Sequence, residues 1–200
     1  MSGKPTLMFE NLEGYRLVLA SNSPRRRELL QQLGLPFTVR TLPGIDESYP
    51  GSLQGGDIPM YISRKKAEAY RPFLSADEVL LTADTVVWLD GEVYGKPANG
   101  EEACRMLRRL SGRTHQVYTG VCLTSLEKQL CFCDESQVTF APLSDEEIRW
   151  YVDHDKPLDK AGAYGIQEWI GLVGVEKLEG SYFNVMGLPV QQLYVHLRQF

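Results

Sequence analysis

An acidic residue stands inside a run that otherwise suits a buried strand: Asp84, between Leu80-Leu81-Thr82-Ala83 and Thr85-Val86-Val87-Trp88. Aspartate is depleted in strands, and an isolated carboxylate is costly to bury unless it is hydrogen-bonded, paired or metal-bound. Asp84 is therefore a candidate for proton or metal chemistry, with a strand-end bulge that reaches solvent as the plainer alternative. Asp46 and Glu47 supply further carboxylates in an acidic loop, where a solvated surface would also account for them. Arg25, Arg26 and Arg27 fill the first turn of a predicted helix, where the positive end of the helix dipole disfavours each cation by roughly 0.3–1 kcal/mol. Local stability does not explain them. Free N–H groups, the hydroxyls of Ser21 and Ser23 and guanidinium forks together suit phosphate oxygens; a solvated basic turn is the competing account.

Lys65, Lys66 and Lys96 are point charges of the kind that bind phosphate, though each alone also reads as a surface lysine. The passage Asp159-Lys160-Ala161-Gly162-Ala163-Tyr164-Gly165-Ile166-Gln167 is rich in small residues that let a backbone approach a flat ligand, and Gln167 offers one donor and one acceptor face. A tight inter-strand loop is the alternative there. His115, His154 and His196 are too scattered for zinc or a histidine triad, Ser23 lacks a nucleophile-elbow setting, and neither common Gly-rich phosphate loop is present.

These residues need elements to hold them. Tyr15 to Ala20 reads as a strand, Ser23-Pro24 as the start of a helix ending at Gly34, and Pro36 to Thr41 as extended again. Gly44 to Pro59 reads as loop and Tyr61 to Tyr70 as a helix. Val79 to Leu89 is the most strand-like run, followed by an Asp90-Gly91 hairpin turn into Glu92-Val93-Tyr94. A helix is expected over Asn99 to Leu110, strands over His115–Thr124, Gln129–Cys133 and Ser136–Phe140, a capped helix from Ser144 to about Val152, and a last helix over Pro189–Leu197. Early alternation and later hairpins predict an α/β fold with a mixed sheet.

The 200 residues are 43% hydrophobic and 24% charged, an ordinary soluble globular composition that needs no disulfide or metal staple. The formal net charge of −5 argues against nucleic acid or anionic membrane as partner. Cys104, Cys122, Cys131 and Cys133 read as reduced thiols, and no signal-like or membrane-spanning segment is evident, so a cytoplasmic location is expected.

Taken together, Ser21-Asn22-Ser23-Pro24-Arg25-Arg26, Ala83-Asp84-Thr85-Val86-Val87, Gly95-Lys96-Pro97, Ser111-Gly112 with His115-x-Val117-x-Thr119-Gly120-Val121, the Asp159 to Gln167 passage and Gly180-Ser181-Tyr182-x-Asn184-Val185-x-Gly187-Leu188-Pro189 resemble the Maf family of nucleoside triphosphate pyrophosphatases from about Leu17 to the C-terminus. The resemblance implies an elongated mixed sheet flanked by helices, two lobes with a central cleft, similar to inosine triphosphate pyrophosphatases. It implies residues 1–14 as an extension and 15–200 as one bilobed domain. By position, Asp84 is similar to the family's proton acceptor, Glu47 with Asp84 to its metal carboxylates, and Ser21, Arg26, Lys66 and Lys96 to its phosphate-binding residues. Arg25, Thr85 and Gln167 match positions tied to substrate selection, and Gly165-Ile166-Gln167 resembles the dTTP/UTP branch. Glu168-Trp169 departs from the small residue that many members carry after the glutamine. The expected cofactor is Mg²⁺ or Mn²⁺ and the expected partner a nucleoside triphosphate, with a homodimer one assembly state to test. The competing functions are 7-methyl-GTP hydrolysis, a non-catalytic nucleotide-binding regulator of cell division, and a general phosphatase or phosphodiesterase.

Overall fold

The computed structural model describes residues 12–200, so nearly all of the expected N-terminal extension lies outside the described residues. The chain divides into two compact units. One comprises the residues through Asp84, Thr119–Asp134 and Gly187–Phe200; the other comprises Thr85–Tyr118 and Glu135–Met186. Strands β1 (Arg16–Leu19), β2 (Phe37–Val39), β3 (Glu78–Leu89), β4 (Glu92–Tyr94), β5 (Thr114–Thr124), β6 (Gln129–Phe140) and β7 (Val175–Glu179) form one sheet of order β2-β1-β3-β5-β6-β7, with β4 also paired to β3. β1 runs parallel to β2 and β3, whereas β3–β4 and β6–β7 are antiparallel, which makes the sheet mixed as expected. Among the described residues no helix is long and apolar enough to cross a membrane.

In the first unit, α1 (Pro24–Gln32) begins where Ser23 Oγ accepts the Arg26 N–H at 3.4 Å, with proline in the first turn. α2 (Asp57–Tyr70) starts four residues before the expected Tyr61. Pro59 did not exclude this, because the first helical turn leaves its N–H groups unpaired in any case. α2 packs through Ala67 and Tyr70 against Val18, Ala20, Leu80 and Cys122.

In the second unit, α3 (Gly100–Leu110) is capped by Asn99, α4 (Asp145–Asp155) by a full Ser144–Glu147 box, and a core of Val87, Leu107, Phe140, Ile148, Tyr151 and Tyr164 lies between them and the sheet. A 3₁₀ turn at Ala161–Ala163, α5 (Trp169–Gly174), β7 and α6 (Tyr182–Met186) fill a stretch where no element was expected. α7 (Val190–Leu197) closes the chain in the first unit.

The cysteine expectation is corrected. Cys122 of β5 and Cys131 of β6 form a disulfide, while Cys104 and Cys133 keep their thiols as expected. The reason is strand geometry: Ser125 N–H donates to Lys128 O, and counting three residues outward on each side brings 122 and 131 side by side.

Candidate active site

Asp84 lies in mid-strand, and its side chain is only 14% exposed. The charge is matched by Lys66, whose Nζ donates to Asp84 Oδ1 at 2.8 Å and lies 3.1 Å from Glu47 Oε1. Two carboxylates from separate segments thus meet on one ammonium that is itself 13% exposed. The strand-bulge account of Asp84 does not apply; the residue is a paired carboxylate within a regular strand.

Two hydrogen bonds and one buried side chain set the height of Lys66 over the sheet. Ser63 Oγ donates to Gly120 O at 2.7 Å, Thr82 Oγ1 donates to Ser63 O at 2.8 Å, and Ala67 is fully buried. Gly120 permits this approach, since a β-carbon there would collide with the backbone of Pro59 and Met60. Lys65, one residue earlier, points instead to Asp46 Oδ2 at 2.6 Å and to the Ser48 carbonyl at 2.9 Å. Those bonds from Lys65 and Ser48 hold the Asp46 carboxyl well below the usual carboxylate range. The adjacent lysines therefore separate in role: one braces the acidic loop and the other joins its Glu47 to Asp84.

Arg26 Nε donates to Gly187 O at 2.8 Å, and its Nη1 donates to Ala83 O at 2.9 Å and reaches Ser21 Oγ at 3.5 Å. Burial lowers the pKa of this guanidinium, opposed by the negative charges of Asp84 and Glu47 and reinforced by the neighbouring Arg25. An arginine remains charged under such a shift. Part of its fork thus holds the carbonyl next to Asp84, a structural use that the phosphate-clamp reading did not foresee. Ser21 is buried, its Oγ accepting the Ser23 N–H at 3.2 Å.

Thr85, Lys96 and Gln167 belong to the second unit. Thr85 follows Asp84 in β3, half-buried, and Lys96 and Gln167 are exposed. Gly162 N–H donates to Gly95 O at 3.1 Å, which ties the glutamine-bearing passage to the residue before Lys96. A β-carbon on Gly162 would strike Val87, so the glycine there answers both to close packing and to a φ of +68°.

Sequence reasoning missed a group beside Gln167. Tyr151 of α4 donates its hydroxyl to Glu168 Oε2 and accepts the Gly165 N–H at 3.0 Å, and Lys160 Nζ lies 2.9 Å from Glu168 Oε1. Glu168 was visible as a departure after the glutamine, but nothing in the spacing tied it to Tyr151.

A family model described as Maf-like protein matches residues 16–200. The chain belongs to the Maf family. It is 57% identical over 192 residues to a Bacteroides fragilis protein and 59% identical over 192 residues to one from Phocaeicola vulgatus, covering 96% of this chain and all of each relative. A Flavobacterium psychrophilum protein is 46% identical over 191 residues, covering 96% of this chain and 97% of that one. All three relatives bear the name dTTP/UTP pyrophosphatase. Among solved structures, this Maf chain is similar to the Staphylococcus aureus Ham1 protein, with a TM-score of 0.55 at 17% identity, covering 92% of this chain and 98% of that one. That likeness concerns the fold alone.

Proposed function

We propose that this Maf chain hydrolyses dTTP and UTP to the nucleoside monophosphate and pyrophosphate. The observation that carries the reading is the pair of carboxylates, Asp84 and Glu47, drawn together on Lys66 in a chain whose full-length relatives carry that name. Water attacks the α-phosphorus, the bond from that phosphorus to the bridging oxygen breaks, and pyrophosphate leaves.

The chain's own part follows from charge. In the free protein, Lys66 is shared between two carboxylates. A triphosphate competes for that ammonium, and once Lys66 turns to phosphate oxygens, Asp84 Oδ1 loses its partner and can take the proton of the attacking water. A positioned base of this kind contributes about 10²–10⁴ in rate. Arg26, beside Ser21 and the helix start, adds a second cation for the phosphates.

Among the described residues no group of three or more His, Cys, Asp or Glu could hold a metal alone. Mg²⁺, however, is commonly held by one or two carboxylates together with substrate phosphates and water, and Asp84 with Glu47 fits that donor set. Bound there, the cation supplies Lewis-acid neutralisation of phosphate charge. Gln167, with Thr85 and Arg25, reads the base, its amide meeting the N3–H and a carbonyl of uracil or thymine. The compartment that suits such a substrate is the cytoplasm. Purified protein with dTTP and Mg²⁺ should release pyrophosphate and dTMP, and EDTA should abolish the release. A single released orthophosphate, or 7-methyl-GTP as the better substrate, would overturn the reading.

A further inference from the structure

We infer that Glu168, Tyr151 and Lys160 form a positioning network that fixes the Gln167 segment and thereby sets the choice between pyrimidine bases. The inference rests on the reading of Gln167 as the residue that meets the base.

A side-chain amide alone is a poor discriminator. Uracil and thymine present a donor at N3 where cytosine presents an acceptor, and an amide that can flip answers either. Selectivity therefore requires the amide's surroundings to be fixed. Gln167 is exposed, so the protein must fix it from behind.

The network does so at three points. Lys160, at the start of the passage, is ion-paired at 2.9 Å with Glu168 at its end, their side chains 9% and 19% exposed. This closes the segment into a loop whose two ends cannot drift apart independently. Between them, the Gly165 N–H donates to the Tyr151 hydroxyl at 3.0 Å, and Tyr151 is wholly buried in α4. The same hydroxyl donates to Glu168 Oε2, so the two anchors share an atom. Burial and the Glu168 charge push the Tyr151 pKa up, which keeps the hydroxyl a donor to that carboxylate.

Close packing adds a wall. A β-carbon at Gly165 would stand 2.7 Å from Glu168 Cδ and 3.0 Å from Gln167 Nε2. The glutamine amide and the glutamate carboxylate thus both lie against the Gly165 backbone, and a shift of Glu168 changes the surface on which the amide rests. Neither Tyr151 nor Lys160 nor Glu168 need touch the nucleotide for this to operate.

The test uses the full chain with Mg²⁺. For wild type, Tyr151→Phe, Glu168→Gln and Gln167→Ala, kcat/KM is measured with dTTP and CTP, along with inhibition by pyrophosphate and the far-ultraviolet circular dichroism. Tyr151→Phe keeps the buried ring, and Glu168→Gln changes a half-buried side chain without changing its size, so either can carry the test if the other fails to fold. We expect each to lower the dTTP preference over CTP by about tenfold, the scale of one lost hydrogen bond, mainly through a higher KM for dTTP, while pyrophosphate inhibition stays within about twofold of wild type. Unchanged preference in a folded variant would overturn the inference, as would an equal weakening of pyrophosphate, which would mean general loosening. If Gln167→Ala also leaves the wild-type preference intact, the base-reading role falls and the network with it. If Gln167→Ala erases the preference and the other two do not, only the network falls.

Discussion

The ammonium of Lys66 sits 2.8 Å from the carboxylate of Asp84, helix α2 against strand β3. Each side chain is the reason the other tolerates its burial. Asp84→Asn removes the charge but leaves an oxygen to accept from Lys66, and Glu47 still faces the ammonium. We therefore expect a folded protein with turnover of dTTP lowered by roughly 10² or more, seen in pyrophosphate release. Lys66→Met instead leaves two carboxylates facing one another. It should lose both turnover and about 1–3 kcal/mol of stability, measured by urea unfolding. An Asn variant with wild-type turnover would place the base elsewhere.

His115 gives a pH dependence. It is fully buried, its Nε2 shares a 2.7 Å hydrogen bond with the Tyr164 hydroxyl, and burial lowers its pKa to about 4. In the unfolded chain it titrates near 6.5, so between those values the unfolded state binds more protons. The stabilisation is thus complete above pH 6.5 and is lost as pH falls from there towards 4, amounting to about 3 kcal/mol at most. Urea midpoints should decline over that window. His115→Gln retains a partner for Tyr164 and does not titrate, so its profile should be flatter; a parallel decline would assign the effect to other groups.

The elements around Asp84 were legible because their signals are local. Ser23-Pro24 capped α1, Asn99 capped α3, and the apolar run of β3 made its single aspartate stand out. The Cys122–Cys131 bond was missed although strands were expected on both sides of it, since cysteine number and strand limits alone do not fix which residues of the two strands lie opposite one another. The last helix was legible, but the stretch from Glu168 to Met186 was not. α5 has six residues and β7 five, alternation in β7 is weak, and their conformation depends on partners far along the chain, such as Ala141, whose N–H donates to Gly174 O at 2.8 Å. The same holds for the site. Lys66 was a surface lysine by its neighbours, and only α2 lying on β3 turned it towards Asp84.

Reduction of the disulfide is the third expectation. The two cysteines are nine residues apart, a loop for which chain-entropy arguments give about 2–3 kcal/mol. In a chain of this size that corresponds to a melting point lower by roughly 5–10 °C, read by calorimetry with and without dithiothreitol. Cys122→Ser with Cys131→Ser should melt like the reduced protein. Neither sulfur belongs to the Lys66–Asp84–Glu47 cluster, so turnover at 25 °C should survive reduction; its loss would tie the bond to the site.

Gly120 makes the last expectation the most direct test of how the site is held. Its carbonyl accepts the Ser63 hydroxyl, and its lack of a β-carbon lets the Pro59–Met60 backbone lie against β5. Alanine would strike main-chain atoms of α2, which, unlike a side-chain tip, cannot rotate away. The helix must then move outward, and overpacking of this kind costs about 1–3 kcal/mol. Lys66 lies two turns further along the same helix, and Ala67 beside it is fully buried in the cluster with Val18, Leu80 and Cys122. Displacement at Pro59 should therefore separate Lys66 from Asp84. Gly120→Ala should lower both the unfolding midpoint and dTTP turnover, whereas Gly91→Ala, at a hairpin turn with open space around it, should lower stability alone. Full turnover in a destabilised Gly120→Ala protein would mean that the approach of α2 to β5 serves the core and not the position of Lys66.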